Sequence, residues 1–216
     1  MTDYILFGTS QSGSAAIEVA LARCQVPFQV VDACSWAPGP GSEELARCNP
    51  LRQVPTLRLP DGSLLTESAA ILIHLGLAFP DTGLIPAAGP QQAQAIRGLV
   101  FIAANCYSAI SLLDYPERWL TLPDPLIEKA LREGACARLY RHWELFADLF
   151  SGTPFLAGDN PGALDILAAV VTKWSATRDH LRVARPAFLQ LLERIDRHPH
   201  VAPQLSRHWP LSDSQG

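Results

Sequence analysis

The chain has 216 residues, 48% hydrophobic and 18% charged, which is enough apolar material for a sizeable core. Its net charge of −4, from 17 basic against 21 acidic residues, argues against a general binder of nucleic acid or of anionic membranes. The five cysteines include no C-x-x-C pair and the six histidines are scattered, so the expectation is no metal site and reduced thiols in the cytoplasm.

The first apolar run, residues 5–7, reads as a strand and is too short for a secretory signal. A loop follows, "GTSQSGSAA" over 8–16, and leads into a helical pattern over 14–23 with Pro27 soon after. Residues 28–31 form a second strand, 38–41 a loop, 43–47 one helical turn and 56–59 a third strand. Asp61-Gly62 is a hairpin signal, with the return strand opening at Leu64-Leu65. Over 68–79, Ile71, Leu72, Leu75 and Phe79 share one helical face. The order is β-α-β-α-β-β-α.

Residues 80–92, with three prolines and two glycines, have the composition of a linker. Beyond it the pattern is helical: 93–113, 125–149, 163–176 and 187–197, then a polar tail after Trp209. The uncharged stretch 98–113 is interrupted by Asn105, Ser108 and Ser111. It is shorter than the ~20 apolar residues of a spanning helix, so it reads as a buried helix. The locally basic stretch 178–207 alternates Arg with Leu, Asp and Glu, as solvated helix faces do.

The loop at 8–14 has the G-x-x-x-x-G spacing of a phosphate loop but lacks the Lys and Ser/Thr that reach phosphate and magnesium. No nucleotide is implied, and no G-x-S-x-G elbow is present.

The stretch "NPLRQVPTLRLPDGSLLTESAAILIHL", 49–75, resembles the N-terminal half of the cytosolic glutathione transferases, whose pattern is NPxxxVPxL, then DGxxLxES, then an apolar helix. Asn49, Pro50, Val54, Pro55, Leu57, Asp61, Gly62, Leu65, Glu67, Ser68 and Ile71 match. The resemblance covers essentially the whole chain. It implies an α/β thioredoxin-like, glutathione-binding domain at 1–79, a linker at 80–92, an all-helical domain at 93–208 and a tail at 209–216. It also implies a cytoplasmic homodimer with glutathione as co-substrate and neither metal nor nucleotide.

Glutathione carries an N-terminal zwitterion. It needs a carboxylate for its ammonium, which Glu67 can supply, and donors for its α-carboxylate. Ser68 and the first free N–H groups of the helix it opens can be those donors. The resemblance implies a cis Val54–Pro55 bond, with Val54 pairing with the tripeptide backbone and Gln53 near its glycyl end. It also implies that the first loop faces the sulfur, whose thiolate is the nucleophile and needs a donated hydrogen bond. Ser12 is favoured, with Ser10 and Ser14 behind it. Ser14 also suits a helix N-cap, and the Gln11 amide is a further donor.

The run "FLAGDNPGALDI", 155–166, resembles the family's FLxGDxxTxADI helix start with Asp165 kept and Gly162 in the cap position, a structural feature. Asn105, Tyr107, Tyr115 and Trp119 are candidates for the electrophile site. The reading is a glutathione transferase whose bound thiolate attacks a small apolar electrophile. A non-catalytic relative that only binds, and a glutathione-dependent isomerase, are the alternatives.

Overall fold

The computed structural model describes residues 3–34 and 39–210. Strand β1 (Tyr4–Gly8) pairs in parallel with β2 (Phe28–Asp32), and antiparallel with β3 (Thr56–Arg58), which pairs antiparallel with β4 (Leu64–Thr66). The sheet order is β2-β1-β3-β4. Strand alternation divides the core. Leu6, which pairs with Leu57, points into the main cluster with helices α1 (Ser14–Cys24) and α3 (Ser68–Ala78). Phe7 points the other way, to a smaller cluster with Ala33 and Leu45 of helix α2 (Pro40–Cys48). Helix α2 is longer than the single expected turn, because Pro40 is well placed to start it. Of the loop expected at 38–41, Pro38 lies outside the described residues, and Pro40 and Gly41 belong to the helix. Residues 211–216 of the expected tail also lie outside them.

The helical half begins at α4 (Pro90–Phe101), three residues before its sequence pattern, again with a proline in the first turn. It runs through a π-helical segment, Ile102–Tyr107, into α5 (Ser108–Asp114). The unbroken helical run is thus Pro90–Asp114, 25 residues, long and apolar enough by composition to cross a membrane. Here Leu99, Ile102, Cys106 and Ala109 on its inner face are buried in the main core. Helix α6 (Pro125–Leu149) has the bounds its sequence pattern predicts, with Asp124 capping it by accepting from Leu126 and Ile127 N–H.

The pattern over 163–176 is not one helix. Helix α7 (Ala163–Val171) stops early. The Thr172 hydroxyl donates to Ala168 C=O, Arg178 donates to Ala169 C=O, and Ser175 and Ala176 adopt φ of 56° and 53°. Helices α8 (Thr177–Ala184), α9 (Pro186–Asp196) and α10 (Ala202–His208) follow, so the basic stretch makes three short helices.

Every residue of α7 is buried, as are Ser14 to Leu21 of α1, and α1 packs against α3, α7 and α10. The start of α7 is held by Asp165, whose carboxylate accepts from Leu156, Ala157 and Gly162 N–H at 2.7, 3.0 and 3.0 Å. Burial pushes its pKa up to about 6 against the pull of those N–H groups. A side chain at Gly162 would meet Ala157 Cβ at 2.7 Å and Leu84 C=O at 3.0 Å. That crowding accounts for glycine where the motif has Ser or Thr.

Candidate functional site

A cleft of about 790 Å³ opens between the sheet half and the helical half. One wall comes from the first loop, the 49–55 loop and the start of α3; the other comes from the π segment, α5, Tyr115 and Trp174. Its volume is typical of a small-molecule site. A smaller cavity of about 400 Å³ lies beside Arg23, Asp81 and His200. Arg23 there donates to the backbone carbonyls of Thr82 and Pro161.

The 49–55 loop is shaped by Asn49, which is buried. Its amide donates to Gln53 C=O at 3.2 Å and Thr56 Oγ1 at 3.0 Å, and its Oδ1 accepts from Leu51 N–H. The loop leads into the Val54–Pro55 peptide, which is cis. Val54 N–H and C=O have no hydrogen-bond partner among the described residues. At the start of α3, Glu67 is held at φ 65°, a left-handed conformation that a non-glycine residue adopts only when its surroundings fix it. Its carboxylate lines the cleft without an ion-pair partner among the described residues. Ser68 is the first residue of α3 and is buried, its Oγ 3.3 Å from the Tyr107 hydroxyl. Gln53, Val54, Pro55, Glu67 and Ser68 therefore line one cleft wall together.

The first loop is less simple. Ser12 lines the cleft but is only 6% exposed. Its hydroxyl donates to Thr9 C=O at 2.8 Å, and its oxygen accepts from Ser14 N–H. The Ser14 hydroxyl, fully buried, also turns to Thr9 C=O at 3.1 Å and lies 2.9 Å from Ser12 Oγ. Ser14 is the first residue of α1 rather than its cap, which is Gly13. Ser10 is exposed and off the cleft wall. Gly13 lines the cleft, and its N–H has no partner among the described residues.

The apex of this loop, Gln11, is held at φ 60° by two anchors from far along the chain. Its C=O accepts from Trp174 Nε1 at 3.0 Å, and its N–H donates to His208 Nδ1 at 3.1 Å. With Nδ1 accepting, the His208 hydrogen sits on Nε2, which donates to Glu18 Oε1 at 3.0 Å. Nothing in the sequence signals this arrangement, since 163 and 197 residues separate Gln11 from its anchors.

Of the four electrophile-site candidates, Tyr107 and Tyr115 line the cleft. Asn105 does not: its amide donates to Phe101 C=O at 3.1 Å, which supports the π turn, and its C=O accepts from His142 Nδ1. Trp119 is 59% exposed and off the cleft wall, because a short 3₁₀ turn over Pro116–Trp119 carries it outward. Residues that sequence reasoning missed are Arg52, Arg118, whose guanidinium lies over the Tyr115 ring at 3.8 Å, and Trp174. Among the described residues no His/Cys/Asp/Glu cluster could hold a metal, and all five cysteines are free.

The fold is a thioredoxin-like α/β half joined to a helical half, with a cleft between them. The model of the glutathione S-transferase N-terminal domain matches residues 14–77. The chain is 30% identical over 172 residues to the uncharacterized GST-like protein YncG of Escherichia coli strain K12, covering 78% of this chain and 80% of that one. Among solved structures, a glutathione transferase homologue from Sulfitobacter with bound glutathione has a TM-score of 0.82 at 20% identity, over 96% of this chain and 99% of that one. The bacterial GST BphK, in a ternary complex, has a TM-score of 0.77 at 25% identity, over 94% and 98%. The chain belongs to the glutathione transferase family.

Proposed function

We propose that the cleft binds glutathione and that the protein conjugates it to a small apolar electrophile. The observation that carries this is the pairing of two unsatisfied features on one wall: the free Glu67 carboxylate beside Ser68 at a helix start, and the unpartnered main chain of Val54. Glu67 then holds the ammonium of the tripeptide, and Ser68 with the first N–H groups of α3 holds the adjacent carboxylate. Val54 pairs with the cysteinyl backbone. Gln53 and Arg52 stand toward the glycyl end. The sulfur is left over the start of α1, where the N-terminal end of a helix favours negative charge. In the reaction the thiol proton leaves to water. A sulfur lone pair forms the S–C bond, and the leaving group departs with its bonding pair. Ala103, Ile110, Tyr115 and Trp174 supply the apolar side of the cleft for the electrophile.

Calorimetry with glutathione tests the reading. Glu67→Ala leaves the ammonium unpaired and is expected to weaken binding at least tenfold, about 1.4 kcal/mol. An unchanged affinity, or no binding by the wild type, sinks it. A binding protein without turnover is the second reading. It draws on the first-loop hydroxyls, both directed at Thr9 C=O rather than at the cleft. Absence of conjugation in a protein that still binds glutathione would establish it.

A further inference from the structure

The first loop lacks a hydroxyl hydrogen for the sulfur. Ser12 and Ser14 each carry one, and both face the same carbonyl, Thr9 C=O, with the two oxygens 2.9 Å apart. At Gly13 a hydroxyl is nevertheless present, supplied from the other half of the molecule. A Cβ placed on Gly13 would lie 2.7 Å from the Tyr107 hydroxyl, 3.2 Å from Ser68 Oγ and 3.4 Å from Pro55 Cδ. The Tyr107 hydroxyl thus stands where the first loop, the cis-proline turn and the start of α3 converge, in the space a side chain at 13 would fill.

Resting on the glutathione reading above, the geometry points to Tyr107 as the catalytic residue that hydrogen-bonds the glutathione sulfur, in place of a first-loop serine. The unpartnered Gly13 N–H is the second donor. Three features fit Tyr107 to this task. Tyr107 closes the π segment, whose wider turn changes the side-chain register, and such turns concentrate at functional sites. The Trp174 ring packs edge-on against it at 5.8 Å, and the same indole fixes Gln11. Burial pushes the phenol pKa up to about 12, so it stays a donor at neutral pH. With the Ser68 hydroxyl donating to the phenol oxygen, the phenol hydrogen is free for the sulfur, and the glutathione carboxylate is held by the backbone N–H groups of Ser68 and Ala69 at the start of α3. The thiol S–H bond breaks, its proton passes to water, and the phenol keeps its own proton while sharing it with the thiolate. When the S–C bond forms, the sulfur loses its charge and the hydrogen bond weakens, which favours product release.

The test is ultraviolet titration of the bound thiolate in wild type, Tyr107→Phe, Ser12→Ala and Ser14→Ala, with glutathione affinity measured alongside. A hydrogen bond to a charged group corresponds to about one to two pKa units. The wild type should lower the bound thiol by that amount. Tyr107→Phe should abolish most of the lowering while affinity changes less than about threefold, since Glu67, Ser68 and Val54 still hold the tripeptide. The serine variants should leave it in place. Site-specific 3-fluorotyrosine at 107 keeps the ring and its packing but donates more strongly, and should lower the thiol pKa further. A merely structural Tyr107 would not move it. A wild type that binds glutathione with an unshifted thiol, a shift that survives Tyr107→Phe, or a shift lost only in a serine variant overturns the assignment and leaves the glutathione reading standing. Failure of the wild type to bind glutathione overturns both.

Discussion

Helices α1 and α7 pack against each other in the core, yet they begin in opposite ways. The start of α7 carries its own anion: Asp165 in the first turn takes three N–H groups, from Gly162 and from two residues of the preceding loop. The start of α1 has no acidic residue in its first turn. Its nearby serines are used up on a loop carbonyl, and the Gly13 N–H is left open at the cleft. Both ends carry the same partial positive charge from aligned peptides. Closed by a resident carboxylate, that charge holds a loop in place; left open beside a phenol, it is where we propose the glutathione sulfur to lie. The distinction lies in what fills the helix end, and three residues carry it: Asp165 and Tyr107 through their side chains, Gly13 through its open N–H.

The contrast can be broken at its structural end first. Asp165→Ala strips the acceptor from three N–H donors, one buried and two part-buried, and should cost on the order of 3 kcal/mol in denaturant unfolding. A loss below about 1 kcal/mol would mean that α7 does not depend on its carboxylate. A pH series sharpens the same point. The folded pKa of Asp165, about 6, lies above its ordinary 3.8, so between these values the folded state holds a proton that the unfolded state has released. The stabilisation is therefore complete below 3.8 and is lost as pH rises through about 6. Relative to Asp165→Asn, the wild type should fall by roughly 2–3 kcal/mol across that window and then level. A difference that is flat with pH would show the carboxylate to be ionised throughout.

At the other end, His208→Leu removes the acceptor for Gln11 N–H and leaves the Glu18 carboxylate without its donor. A stability loss of about 1–2 kcal/mol is expected, with weaker glutathione binding because the first loop loses one of its two anchors. Stability and affinity both unchanged would show that Trp174 alone sets the loop.

Much of the cleft wall proposed above for glutathione was legible because it is contiguous. Val54-Pro55 and Glu67-Ser68 sit at fixed offsets within one β-β-α run, so matching the string is nearly the same as matching the shape. The hairpin at Asp61-Gly62 was legible for the same reason: Gly62 has φ 87° and Asp61 Oδ1 accepts from Ser63 N–H. The first loop was harder. Three serines in five residues look equivalent in sequence, and only the path of the backbone decides that Ser12 and Ser14 turn to Thr9 while Ser10 faces solvent. The wall from the helical half was the hardest. A helical period of 3.6 puts Asn105 and Tyr107 on different faces without saying which faces the cleft, and the π turn then shifts that register. The break at Thr172, which delivers Trp174 to the site, carries neither Gly nor Pro to announce it.

The double anchoring of Gln11 has a consequence in the time domain. An exposed residue on a loop would ordinarily exchange its amide hydrogen through small, frequent openings. Here the hydrogen is held by a histidine 197 residues away. Closing a span of that length costs roughly 3 kcal/mol more in chain entropy than closing a ten-residue loop, more than one hydrogen bond returns. The contact therefore persists only because α1, α7 and α10 are already packed. The Gln11 amide should exchange with deuterium as slowly as the core amides of α1, and should speed up only under conditions that open the whole molecule. Fast exchange of Gln11 in an otherwise protected protein would show the loop to be a local hinge. Slow exchange would mark its geometry as a property of the entire fold.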